Sequence, residues 1–183
     1  MATTLVEPLA LRAHLQDPRW VSIDCRFDLA RPEWGAHAFA AGHIPGALYA
    51  DLDRDLSGPR TSFSGRHPLP EPGLLAATLS RFGIDAEVQV VAYDQGPGSF
   101  AARLWWLLRW LGHAAAAVLD GGYEAWRAAG GRVSSAPAMP AARVFVARPR
   151  EAAYVSADEV AALLARHACL LLDARSAERY EGR

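Results

Sequence analysis

The stretch VVAYDQGPGSFAAR, Val90 to Arg103, begins as an apolar run, ends that run at Tyr93-Asp94, breaks through glycine and proline, and re-enters an apolar segment carrying arginine. The run reads as a buried strand and the re-entry as a helix. A strand that turns sharply into a helix N-terminus points successive backbone N–H groups into one concavity, and such a cradle stabilises an anion. A cysteine placed first in the loop would have its pKa depressed by those donors. The first residue here is Asp94, already an anion and able only to accept hydrogen bonds. It can fill the cradle as a fixed charge, but it offers a hard oxygen where a nucleophile would stand.

Outward from this loop, strands and helices alternate. A helix is expected at Pro8 to Gln16, with Pro8 suited to its first turn, then a short buried strand, WVSIDCR, at Trp20 to Arg26. A Gly- and Pro-rich loop follows, containing AGHIPGALYAD, Ala41 to Asp51, in which Gly42, Pro45 and Gly46 shape a tight turn before a strand. Leu74 to Phe82 has helical spacing and Gly83 suits its C-cap. Glu87 to Tyr93 is the clearest strand, Phe100 to Leu111 a helix ending at Gly112, AAAVLDGG a further strand and GYEAWRAAGG a short helix. This alternation implies an α/β domain with a central parallel sheet covered on both faces.

The first domain is placed at residues 1–130. The pattern then lapses over residues 131–153, rich in small residues and proline, with one β-prone stretch at Val144 to Val146. This segment reads as an interdomain connection lying against the first domain. Helical order resumes at 154–183, where Ser156 and Glu159 form a capping box and Val160, Leu163 and Leu164 an apolar face. CLLLDAR follows as a strand. A helix followed by a short apolar strand ending in Asp-x-Arg therefore occurs twice, at VSIDCR and at LLLDAR, and implies an internal duplication whose second copy has only begun. A lone helix and strand bury too little apolar surface to offset their ordering entropy, so the chain reads as part of a two-domain protein.

Bulk properties agree with a soluble globular chain. Of 183 residues, 51% are hydrophobic and 21% charged, and the net charge of −1 leaves no basic stripe, so a nucleic-acid partner is not expected. No apolar run is long enough to span a bilayer, and the N-terminus lacks the features of a signal peptide, so no membrane partner is expected and the cytoplasm is the expected compartment. Cys25 and Cys169 form no disulfide framework and read as small buried residues of the two Asp-x-Arg strands.

The remaining candidates carry competing readings. His43 could be a base or metal ligand, but no second histidine stands at ligand spacing, so packing is expected and no metal site. The helix FAARLWWLLRWLG reads as core and interface packing, with Arg103 and Arg109 undecided between a partner domain and solvent. Asp173, Arg175 and Arg179 read either as surface ion pairs of small worth or as an arginine poised for an anionic substrate.

Together IDCR, AGHIPGA, the block from Val90 to His113, VLDGGYEAW and LLDARSAERYEG resemble the rhodanese family in its tandem two-domain form, in family order and over almost the whole chain. The resemblance implies a rhodanese-like three-layer domain with a central parallel sheet, followed by an incomplete second copy. It implies that the first domain is catalytically silent, with Asp94 at the nucleophile position, and that the active cysteine lies beyond Arg183. It implies that Asp173 supports the substrate pocket and that Arg179 contacts a small anionic sulfur donor, thiosulfate or 3-mercaptopyruvate. The sulfur would pass through a cysteine persulfide to a thiol or cyanide acceptor, without metal or organic cofactor. The alternatives are a non-catalytic module binding an anion or a protein and, more weakly, a phosphatase of the cysteine-loop type, which Asp94 opposes.

Overall fold

A computed structural model describes all 183 residues, and their contacts divide into two compact units, Met1–Pro149 and Arg150–Arg183. The first unit runs β1 (Leu5–Val6), α1 (Pro8–Ala13), β2 (Trp20–Asp24), α2 (Trp34–Ala41), β3 (Leu48–Tyr49), α3 (Pro72–Arg81), β4 (Gln89–Tyr93), α4 (Ser99–Trp110), β5 (Ala116–Leu119) and α5 (Gly122–Ala128). The five strands form one parallel sheet in the order β1-β5-β4-β2-β3. β4 lies at its centre, with Val90 opposite both Val21 and Ala116. All five of its residues are buried, as a strand covered on both faces requires.

Alternation along β4 distributes the core. Val91 and Tyr93 join Leu11 of α1 and Tyr123 and Trp126 of α5 in one cluster. Val90 and Ala92 point to the opposite face, and α4 packs on β4 and β5 through the buried Leu104, Leu107 and Leu108. Segment 131–149 belongs to this first unit. Ser134 exchanges both backbone hydrogen bonds with His43, Phe145 is buried, and Arg143 pairs with Asp85 at 2.5 Å.

Several boundaries differ from the sequence expectation for local reasons. β2 stops at Asp24 and not Arg26, because the Asp24 carboxylate accepts the Arg26 N–H and turns the chain. α3 starts earlier than the apolar spacing suggests, since Pro72 fits the first turn and Glu71 caps the Leu74 N–H. α2 lies in a stretch whose composition reads as loop; its N-cap, Glu33, makes no side-chain hydrogen bond and left no signal.

The second unit holds a single 3₁₀ turn (Glu151–Ala153) and the helices α6 (Ala157–Ala165) and α7 (Ala177–Tyr180). The capping box forms as expected, with Ser156 N–H donating to Glu159 and Glu159 N–H to Ser156 Oγ. The expected strand at Cys169 to Arg175 is not one: the segment has no ladder partner, and Leu170, Leu171 and Leu172 are exposed. An apolar run becomes a strand only when a neighbour takes up its N–H and C=O groups, and this unit has no other strand.

His113, buried behind Phe145, should make the first unit acid-sensitive. Burial pushes its imidazole below the ordinary value. The unfolded chain protonates near pH ~6.5, so below that pH the unfolded state binds a proton that the folded state resists. This contribution to stability is therefore whole above ~6.5 and is lost as the pH falls through the folded value. Urea melts of the wild type and of His113→Gln at about pH 7.5 and about pH 5 check this. The variant should lose less stability between the two, and an equal loss would acquit His113.

A candidate active-site cradle occupied by an aspartate

The loop between β4 and α4 closes around its own first residue. Asp94 is fully buried, and its carboxylate accepts from the backbone N–H groups of Gly96, Gly98 and Phe100 at 3.0 Å each and of Ala101 at 3.4 Å. A buried carboxylate is tolerated only with such compensation, and here the compensating donors are the loop and the first turn of α4. Gly98 makes the turn possible: its φ of +82° lies in the left-handed region, which side chains other than glycine rarely adopt. A second glycine closes the cradle from behind. A Cβ on Gly122 would stand 2.7 Å from the Asp94 carbonyl oxygen and 3.0 Å from Gly96 N, so the β5–α5 turn must be bare there. Tyr123 N–H then bonds that same carbonyl at 2.8 Å.

Beside the loop lies a buried ion pair. Arg26 Nε and Nη2 donate to the Asp24 carboxylate at 2.7–3.1 Å, and Nη2 also bonds the carbonyl oxygens of Gly42 at 2.7 Å and Ala38 at 3.2 Å. The Tyr93 hydroxyl donates to Asp24 at 2.8 Å and receives the Ile44 N–H, and the guanidinium lies 4.1 Å from the Tyr123 ring centre. Burial by itself would lower the Arg26 pKa; the Asp24 carboxylate outweighs it, and the net shift is upward. Burial, then the same carboxylate, pushes the Tyr93 hydroxyl well up. The pair thus ties β2 to β4, α2 and the AGHIPGA turn. Sequence reasoning singled out Asp-x-Arg but missed Tyr93 and Tyr123 as its partners; a tyrosine ending the central strand just before Asp94 was the available signal.

The other candidates are occupied by structural work. His43 is buried with Nδ1 2.8 Å from the Phe39 carbonyl and Nε2 3.1 Å from that of Ala136, and its ring stacks on Phe39, so neither nitrogen is open to a substrate. Cys25 is buried, and burial, then Asp24, Asp94 and Asp55, raise its thiol well above the usual value, which removes it as a nucleophile near neutrality. Arg103 donates to the carbonyls of Leu56 and Pro68, and Arg109 lies over the Trp105 ring. Outside the cradle, Phe27 and Phe100 pack edge to face at 5.7 Å beside Arg31, Trp34 and Gln95, forming an open groove.

In the second unit, Asp173 is held by Arg175 through four hydrogen bonds of 2.6–3.0 Å, including the Arg175 N–H to the carboxylate at 2.9 Å. This repeats the internal geometry of Asp24 and Arg26, with both side chains exposed. Arg175 is the principal cause that holds the Asp173 carboxyl below its usual range. Arg179 stands on α7, exposed; Cys169, expected to be buried on a strand, is exposed, because the run that carries it has no ladder partner.

A parallel sheet with a strand–loop–helix cradle at the end of its central strand is a known architecture, and comparison places it. The rhodanese-like domain family matches residues 7–129, and the chain belongs to that family. It is 44% identical over 174 residues to the probable 3-mercaptopyruvate sulfurtransferase of Pseudomonas aeruginosa, covering 94% of this chain and 61% of that one. It is 40% identical over 127 residues to the mitochondrial thiosulfate/3-mercaptopyruvate sulfurtransferase 1 of Arabidopsis thaliana, covering 68% of this chain and 32% of that one. The fold superimposes on the crystal structure of SseA, a 3-mercaptopyruvate sulfotransferase from Escherichia coli, with a TM-score of 0.88 and 28% identity, covering 98% of this chain and 68% of that one. The chain therefore spans less than two thirds of the length of these two sequence relatives.

Replacing Asp94 tests the cradle directly. In Asp94→Cys the four donors should favour thiolate, so the midpoint of an iodoacetamide rate-against-pH profile should fall below the ~8.5 of a free thiol. A midpoint at or above that value would mean that the loop does not stabilise an anion.

Proposed function

We propose that this chain is the first domain and the opening of the second domain of a tandem-domain rhodanese sulfurtransferase, with 131–153 connecting the two copies. The observation that carries the reading is the Asp94 carboxylate, seated in a four-donor cradle of the family's fold where an active copy would seat a nucleophile. The repeated Asp-x-Arg geometry at Asp173 and Arg175 supports residues 154–183 as the start of the second copy, with its cysteine loop beyond Arg183.

In that whole protein a cysteine thiolate attacks the transferable sulfur of a small anionic donor, the outer sulfur of thiosulfate or the thiol sulfur of 3-mercaptopyruvate. With thiosulfate the S–S bond breaks and sulfite leaves; with 3-mercaptopyruvate the C–S bond breaks and the carbon takes up a proton as pyruvate leaves. The persulfide so formed is stabilised by loop N–H groups, as Asp94 is here. Attack on its outer sulfur by cyanide or a thiolate then restores the cysteine and carries the sulfur away. No metal or organic cofactor enters these steps, because the sulfur travels on the protein. Asp173, oriented by Arg175, supports the pocket, and Arg179 presents its donor fork to the anionic substrate.

Asp94 cannot take part in this chemistry, since a carboxylate oxygen forms no persulfide. Residues 1–183 incubated with thiosulfate and cyanide should therefore release no thiocyanate above the protein-free control. Turnover that depends on the protein and disappears with Cys169→Ser or Cys25→Ser would overturn the placing of the nucleophile.

A further inference from the structure

Residues 139–148 cross the first unit as a strap without helix or strand and lead to Pro149, where that unit ends. Two bare helix ends seat the strap. A Cβ on Gly83, after α3, would stand 2.8 Å from the Ala141 carbonyl oxygen, and one on Gly112, after α4, 3.1 Å from that of Arg148. The holds on the strap are few. Arg143 pairs with Asp85 at 2.5 Å, and Phe145 N–H donates to Ser80 Oγ and Arg148 N–H to the Leu111 carbonyl, each at 2.9 Å. Phe145 is the strap's one buried side chain, with Val144 and Val146 exposed on either side. A segment with so little buried apolar contact opens at far lower cost than the sheet beneath it. Phe145 in turn lies against His113, with ring centres 5.8 Å apart, and His113 is only 5% exposed.

We propose that the strap is an acid-operated latch: protonation of His113 ejects Phe145 and frees residues 139–148 while the sheet behind them stays folded. An imidazolium donates from both ring nitrogens. Nε2 is buried with no hydrogen-bond partner, so a proton there meets an acceptor only when water reaches the ring, and Phe145 is in the way. The charges around the ring do not relieve this. Asp85, on the turn between α3 and β4, is already engaged by Arg143 of the strap, and the Met1 ammonium and Arg148, which share a wall with His113, are cations. Burial holds the imidazole below its ordinary value; the backbone of Val88 and Ala115 and the Asp85 carboxylate oppose this without prevailing. With the strap open the ring is solvated and takes a proton near pH ~6.5. The hold is therefore whole above ~6.5 and is lost as the pH falls through the value of the closed state. The latch is a property of the first unit alone. Its consequence rests on the two-copy reading, in which the strap belongs to the connection between copies and its release turns a fastened connection into a free tether.

Hydrogen exchange of residues 1–183 at about pH 7.5 and about pH 5, each rate divided by the intrinsic rate at that pH, tests the latch. Protection of the Phe145 and Arg148 amides should fall several-fold at the lower pH, toward a ceiling of about thirtyfold set by the ordinary imidazole value. Protection of Val90 and Ala92 in β4 should not change. His113→Gln should abolish the fall at Phe145 and Arg148; if that variant does not fold, the wild-type contrast between strap and β4 decides alone. Unchanged protection of the strap, an equal loss in β4, or the same fall in a folded His113→Gln would each overturn the latch.

Discussion

The first unit is organised around a carboxylate that has nowhere to go. Asp94 is carried into the interior by the central strand, and it can stay there charged only because four backbone N–H groups converge on it. That demand fixes the left-handed turn at Gly98, the start of α4, and the bare close approach of Gly122 from the next loop. Satisfied internally, the loop is a closed electrostatic unit. The same donors aimed at a thiol would favour its thiolate form.

The buried Asp24–Arg26 pair does comparable work for the neighbouring loop. Each unit of charge finds both its opposite and neutral dipoles: Tyr93 for the carboxylate, the Gly42 and Ala38 carbonyls and the Tyr123 face for the guanidinium. Removing one member of such a pair strands the other and typically costs about 3–5 kcal/mol. Asp173 and Arg175 reproduce the pair's own hydrogen bonds with none of the surrounding partners. The Asp-x-Arg spacing alone therefore builds the bidentate contact, and burial adds the rest.

What could be read without coordinates was whatever is encoded locally. The strand at the centre of the sheet, the loop that follows it, the capping box at Ser156 and the Asp-x-Arg pairs all depend on residues within about a turn of each other. Elements that borrow their stability from distant neighbours were not legible. β1 is two residues long and exists because Leu5 and Val6 meet Val118 and Leu119; α2 has no side-chain cap to announce it. The converse error fell at Leu170 to Leu172, where a strand-like run stands without a ladder because pairing is a property of two segments and not of one.

By itself the amino-acid order determined the alternating α/β class, the position of the anion cradle and the fact that an oxygen, not a sulfur, begins it. These follow from period, turn chemistry and side-chain identity, which act over a few residues. Only the tertiary structure decided that the cradle's donors close on Asp94 itself, that both nitrogens of His43 lie against carbonyls, and that His113 is buried against Phe145, a residue some thirty positions downstream. Such outcomes depend on which distant groups reach the same point in space, and no local pattern carries that information.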